Sequence, residues 1–280
     1  MDVSEQTALH QYGELPDDKV PLVDTALYLA LEKHQGRSLG PYQTHVRKLC
    51  EQVGSRYADL LEAGAEDSPE TKIAALKHVI SDLHGYAGDE DNYNDLRNAD
   101  LIDVIDRRKG LPIALSILAL SAGRAQGWSI HGINFPGHFL LRLDQDGKRV
   151  ISDPFHQFRL LQAPDLRQLL KSVAGPDAEL SVTLYQEASN REILLRLQNN
   201  IKFRQIERED YAEALGTVAA MRSFAPHEHR LLLDESVLNA RLGNLVSAIE
   251  LVRQYLSAVT DPQDKYDAEL LLRTLETTLE

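Results

Sequence analysis

Cysteine is almost missing from this sequence: Cys50 is the single one in 280 residues. That excludes an intrachain disulfide and any zinc site built on cysteines. Long apolar runs are missing too. The longest uncharged one, residues 111–123, falls short of the roughly 18–20 residues that a membrane-spanning helix needs. Residues 1–21 are polar and acidic, with neither a basic start nor an apolar stretch. No secretory signal is therefore expected, and the cytoplasm is the expected compartment. Basic side chains are in deficit, 30 against 43 acidic ones, for a formal charge of -13. A broad surface for nucleic acid or anionic membrane is thereby disfavoured, and neither is expected as a partner. Neither a phosphate loop nor a dinucleotide fingerprint is present, and no cofactor is expected.

What is present is ordinary globular chemistry, 43% hydrophobic and 26% charged residues, in a chain long enough for a substantial core. Residues 1–20 read as a loosely held polar leader. Helical spacing begins near residues 23–31 and returns in 42–61, where Val46, Leu49, Val53, Tyr57 and Leu60 fall three and four apart. A third helix is expected over 69–83, and a polar loop over 86–99, with Asn98 or Asp100 capping a short helix that Gly110 ends. Pro112 suits a first helical position. The segment it opens is apolar on every side apart from Ser116 and Ser121, which marks a central, buried helix.

From residue 128 the period changes to that of strands. Residues 129–135, 138–143 and 148–152 are strand candidates, the last two joined through Asp144-Gln145-Asp146-Gly147 as a hairpin. Helices followed by an antiparallel sheet around one buried helix make an α+β pattern. Residues 156–190 suggest no element. Beyond them helices dominate, and Tyr211-Ala212-Glu213-Ala214-Leu215 matches Leu245-Val246-Ser247-Ala248-Ile249 at an offset of 34 residues. Paired helices at that period are the tetratricopeptide signature. The expected division is residues 1–190 and residues 191–280.

The chemistry-bearing residues concentrate in 92–155. His138 and Asp153 lie on the two hairpin arms. A loop of Gln145-Asp146, or of all four residues 144–147, sets them directly opposite; a loop of Asp146-Gly147 sets Asp153 opposite Leu140 and diagonal to His138. Both registers keep the pair on one face, about 5 or about 7 Å apart. Such a pair is the orienting half of a nucleophile–histidine–acid arrangement, or a structural hydrogen bond at a sheet end. Asp89-Glu90-Asp91 with Asp95 lacks the glycine and closing glutamate of a calcium loop and reads as a solvated acidic loop. His227-Glu228-His229 has no third ligand nearby, so no metal site is expected.

The motifs Asn92-Tyr93, Asn98, Arg107-Arg108 with Gly110-Leu111-Pro112-Ile113, Pro136-Gly137-His138-Phe139 and Asp153-Pro154-Phe155 together resemble the bacterial Sir-B family. That family has a papain/transglutaminase-like core followed by tetratricopeptide repeats, and the resemblance covers about residues 40–280. It implies catalytic positions at His138 and Asp153 and candidate binding residues at Asn92, Arg107 and Arg108. It also implies a glycine-any-cysteine motif where this chain has Gly110-Leu111-Pro112, so Pro112 stands in the place of the nucleophile. After Asp153-Pro154-Phe155, His156-Gln157 replaces the small residues that the resemblance implies. Ser116, one turn beyond Pro112, is expected to bond back to its own helix, and Cys50 to be a buried structural thiol. Two function classes follow. One is a non-catalytic binding or regulatory protein that meets a protein or peptide partner through residues 191–280. The other is an acyl-transfer or peptide-bond enzyme using His138 and Asp153 with a non-cysteine nucleophile or water.

Overall fold

A computed structural model of the chain describes residues 3–279. In chain order the helices are α1 (Val3–Gly13), α2 (Leu22–Leu31), α3 (Gly40–Glu62), α4 (Pro69–Leu76, continued as a π-helix over Lys77–Leu83), α5 (Leu101–Arg107), α6 (Pro112–Ala125), α7 (Ala163–Ala174), α8 (Asn190–Glu207), α9 (Tyr211–Phe224), α10 (Arg230–Arg241), α11 (Leu245–Ala258) and α12 (Pro262–Leu279). The strands are β1 (Ala87–Gly88), β2 (Lys109–Gly110), β3 (Ile130–Ile133), β4 (Leu140–Gln145), β5 (Lys148–Asp153), β6 (Arg159–Leu161) and β7 (Glu187–Ala188). Two compact units result, one of Asp17–Leu197 and one of Met1–Pro16 with Gln198–Glu280. The boundary between the units falls inside α8.

In the larger unit α6 is the centre. Every residue from Pro112 to Leu120 is buried, as are Ala122 and Gly123, because α2, α3, α4, α5 and the sheet pack around it. The five strands run in the order β6-β5-β4-β3-β7, antiparallel throughout. Alternation along β4 sorts its faces. Leu140, with Ile151 and Leu161, packs on Leu166 and Leu170 of α7; Leu141 and Leu143 are fully buried on the opposite face. Ile130 of β3 packs on Gly123 of α6 so closely that a Cβ there would lie 2.9 Å from its side chain.

The hairpin loop is Asp146-Gly147, since Gln145 pairs with Lys148. Both loop residues have positive φ, 49° and 79°, the primed-turn geometry that suits the twist of the flanking strands. Asp153 therefore opposes Leu140, the second of the two registers open in the sequence. Residues 156–190, where no element was expected, hold β6, α7 and β7. Helix α5 ends earlier than expected: Arg108, with φ 60°, is its left-handed C-cap, and Gly110 belongs to β2.

The smaller unit is helical. Helices α9 and α11 start 34 residues apart, and Ala214 and Ala248 are fully buried in both. Ser236 Oγ donates to the Ala248 carbonyl at 2.8 Å, and Thr217 Oγ1 to Gln205 Oε1 at 2.8 Å. The leader reading is corrected over the described residues. Helix α1 packs on α9, with Leu9 fully buried, while residues 1 and 2 lie outside the described part. Leu9→Ala should cost about 2–3 kcal/mol, read as an earlier midpoint in thermal or urea unfolding.

Candidate functional site

The end of β5 and the turn after it build the site. Asp153 is nearly inaccessible, with its side chain 4% exposed. Its Oδ1 accepts the Phe155 backbone N–H at 3.0 Å. Its Oδ2 meets two imidazoles, His138 Nε2 at 2.9 Å and His156 Nδ1 at 2.6 Å. An ionised carboxylate only accepts, so both of those ring nitrogens carry the proton in this arrangement. Burial alone would raise the Asp153 carboxyl; the hydrogen bonds and charge of His138 and His156 outweigh it and hold it below the ordinary value. The two rings stack at 6.0 Å between centroids, tilted by 19°.

Backbone constraint aims each partner. Gly137, at φ 69°, turns the chain so that the His138 N–H donates to the Phe135 carbonyl at 3.1 Å. Arg196 of α8 then clamps the same loop, donating to the His138 carbonyl at 2.7 Å and to Asn134 Oδ1 at 3.2 Å. Its guanidinium sits 5.5 Å from the centre of the Phe139 ring. After His156 come two left-handed residues, Gln157 and Phe158, with φ 53° and 58°. Neither is glycine, and such conformations cost roughly 1–2 kcal/mol each. Ser152 Oγ holds the turn by donating to the Phe158 carbonyl at 3.0 Å. Phe155 lies edge-on to Tyr93, His138 and His156, and its ring occupies the space over Gly88, where a Cβ would come within 2.5 Å.

A ladder of backbone bonds ties this corner to the start of α6. Gly88 N–H donates to the Phe155 carbonyl at 3.2 Å, β1 runs parallel to β2, and Leu111 N–H donates to the Asn98 carbonyl at 2.8 Å. Pro112 then opens the helix with nothing nucleophilic to offer. Ser116 is fully buried and its hydroxyl donates to the Pro112 carbonyl at 2.8 Å. Cys50 of α3 sits 3.8 Å from Ser121 Oγ, nine residues and about 13 Å along α6 from Pro112. Burial pushes its thiol up, so it is held as a weak nucleophile.

The three candidate binding residues separate. Arg107 reaches Asp89 Oδ2 at 2.8 Å and Asn98 Oδ1 at 3.1 Å. Asn92 joins the same network through its backbone, its carbonyl accepting from Asn98 Nδ2 at 2.7 Å. Asp89 is thus not part of a solvated loop: it is 1% exposed and paired, while Glu90 and Asp91 face solvent. Arg108 points elsewhere, bonding Tyr86 Oη and His45 Nε2. It borders a cleft of about 520 Å³ with Arg37, Tyr42 and Asp106. Burial and the Arg108 charge hold His45 down to about 4, so it accepts from Arg108 as a neutral ring. His227, Glu228 and His229 are exposed in the α9–α10 connection.

His156 and Arg196 are the site residues that sequence reasoning passed over. The spacing Asp153-x-x-His156 at a strand end was the available signal for the first. Arg196 comes from a helix 58 residues further along than His138, and nothing local announced it.

A model of the transglutaminase-like superfamily matches residues 41–199. The span contains α3, α6, the whole sheet and His138, Asp153 and His156. The chain belongs to the transglutaminase-like superfamily. A UPF0162 protein of Xylella fastidiosa is 28% identical over 243 residues, covering 86% of this chain and 84% of that protein. A UPF0162 protein of Pseudomonas aeruginosa is 31% identical over 188 residues, 67% of this chain and 66% of its own. F-box only protein 21 of Pongo abelii is 24% identical over 292 residues, 96% of this chain and 46% of that longer protein. Among the described residues no helix of this transglutaminase-like chain is long and apolar enough to cross a membrane.

Proposed function

We propose that this transglutaminase-like chain has no cysteine-type acyl-transfer chemistry and works as a binding or regulatory protein, of the Sir-B type within the superfamily. Its C-terminal helices, read as tetratricopeptide-like, would meet a protein or peptide partner. The observation that carries the reading is Pro112 at the first turn of the buried helix, where the resemblance implies a cysteine. Removing a nucleophile typically removes most of an enzyme's rate enhancement. The side chains that could substitute are otherwise engaged, Ser116 in its own helix and Cys50 beside Ser121, about two and a half turns along α6 from Pro112. The 34-residue offset of α9 and α11, with a small buried alanine in each, supports the repeat reading.

A second reading is favoured by one observation, the intact contact of His138 with Asp153. In it His138 would act on a water, and the chain would be a hydrolase without a covalent intermediate. The two readings share one expectation: Cys50 is dispensable. The purified chain should show no amine incorporation into glutamine-bearing protein and no peptide cleavage that iodoacetamide blocks, and Cys50→Ser should equal the parent. A thiol probe that labels Cys50 and abolishes a measured turnover would overturn the proposal. Amine-independent, iodoacetamide-resistant hydrolysis lost in His138→Ala would select the second reading.

A further inference from the structure

We infer that His138, Asp153 and His156 form a binding site for one divalent metal ion of the zinc type, an assignment that goes beyond either functional reading. Three donor atoms converge on one point: His138 Nε2 and His156 Nδ1 both lie within 2.9 Å of the single oxygen Asp153 Oδ2. Two imidazoles and a carboxylate are borderline donors that suit zinc and its first-row neighbours. Donor atoms around a tetrahedral zinc lie roughly 3.3 Å apart; the three donors here lie within 4.8 Å of one another, so an ion enters once the two short contacts to Asp153 Oδ2 open and the ring nitrogens settle at that spacing. His156 can supply that movement, because its side chain is 49% exposed on a turn, and the same exposure is the path by which an ion enters.

The surroundings fit a coordinated state as well. Metal-bound histidines hand their second ring N–H to a carboxylate, which fixes the tautomer. His156 Nε2 lies 3.9 Å from Glu90 Oε1, on the side of the ring away from Asp153. Asp153 Oδ1 is already taken by the Phe155 N–H, so the carboxylate offers one oxygen in a fixed direction. The left-handed pair Gln157 and Phe158 follows His156 directly, and strain of this kind collects at functional sites. Three protein ligands leave a fourth position for water. Among the described residues a second histidine–carboxylate group, His34 with Asp100 and Asp103, has one imidazole and two carboxylates. Asp100 Oδ1 there is spent capping α5, accepting from the Ile102 and Asp103 backbones at 3.0 and 3.1 Å.

The test is a titration of the full chain, stripped with chelator, with Zn²⁺ followed by calorimetry and with Co²⁺ followed by visible absorption. One Zn²⁺ per chain is expected, with the cobalt complex showing the intense d–d bands of a low-coordinate nitrogen–oxygen site. His156→Ala should weaken binding by more than the roughly 10–100-fold that loss of an outer partner costs. His34→Ala should bind as the parent does. Absence of saturable binding, a cobalt spectrum no stronger than the free aquo ion, or binding unchanged in a folded His156→Ala would each overturn the assignment. The cobalt spectrum of the parent chain decides even if the variants fail to fold. The Cys50→Ser and iodoacetamide assays do not read the metal, so failure of this titration and failure of the proposed function are distinguishable.

Discussion

Arg107→Ala should destabilise the larger unit by about 3 kcal/mol, the low end of what breaking a buried ion pair costs. The substitution leaves Asp89 inside the protein without its closest cation. Lys109 Nζ remains at 3.6 Å, but its side chain is 46% exposed, and the Asn92 N–H stays bonded at 3.3 Å, so the penalty is not the full one. Asn98 Oδ1 also loses its donor. For a unit of this size the loss corresponds to roughly 6–12 °C in Tm. Arg107→Lys should recover only part, since one ammonium cannot span both partners as the guanidinium fork does.

The same pairing makes the fold acid-sensitive. Burial raises the Asp89 carboxyl, yet Arg107 and Lys109 outweigh it and hold it below its ordinary value; Asp153 behaves likewise. A carboxyl lower in the folded than in the unfolded chain contributes stability above its unfolded value, near 3.9. That contribution is lost as pH falls through the folded one. Unfolding free energy should therefore drop below about pH 4, with a shallower drop in Asp89→Asn. Asp100 works in the opposite sense, since burial holds its carboxyl up. The slope is the balance of the two.

Leu118→Ala should be among the most damaging truncations of the core, at about 3–4 kcal/mol within the usual range for buried leucine. Leu118 is fully buried, with Ile117, Ala119 and Leu120 beside it equally inaccessible. Helix α6 is walled by four helices and the sheet, so the space left behind has little means of closing. Urea unfolding should show a lower midpoint at unchanged slope. A loss below 1 kcal/mol would mean that α6 is not the centre of the unit.

That helix was the most legible part of the sequence, because a segment apolar on every side has one place to go. The hairpin was legible too, but its register was not: Asp146 with a positive φ is permitted rather than required, and the alternative loops had equal claim. Helix α1 hid because Leu9 anchors it within an otherwise polar stretch. The elements between residues 156 and 190 hid for a different reason. Their entry turn uses Gln157 and Phe158 in a conformation that normally announces itself with glycine. His138 and Asp153 could be paired from strand periodicity, whereas His156 is placed by that unannounced turn. Arg107 and Arg108 are adjacent, yet they separate because Arg108 takes the left-handed C-cap and points away from its neighbour.

We propose that the transglutaminase-like frame is kept around position 112, with Pro112 standing in the place of the nucleophile. It is tested most directly by restoring a thiol there, as Pro112→Cys in a Cys50→Ser background, and measuring alkylation by iodoacetamide against pH. A thiol at the first turn of α6 gains from the helix N-terminus, which lowers its pKa. Alkylation at pH 6 should be at least about 10-fold faster than that of Cys50 in the parent chain, and slower when His138→Ala is added. A residue-112 thiol no more reactive than Cys50, and indifferent to His138, would contradict it.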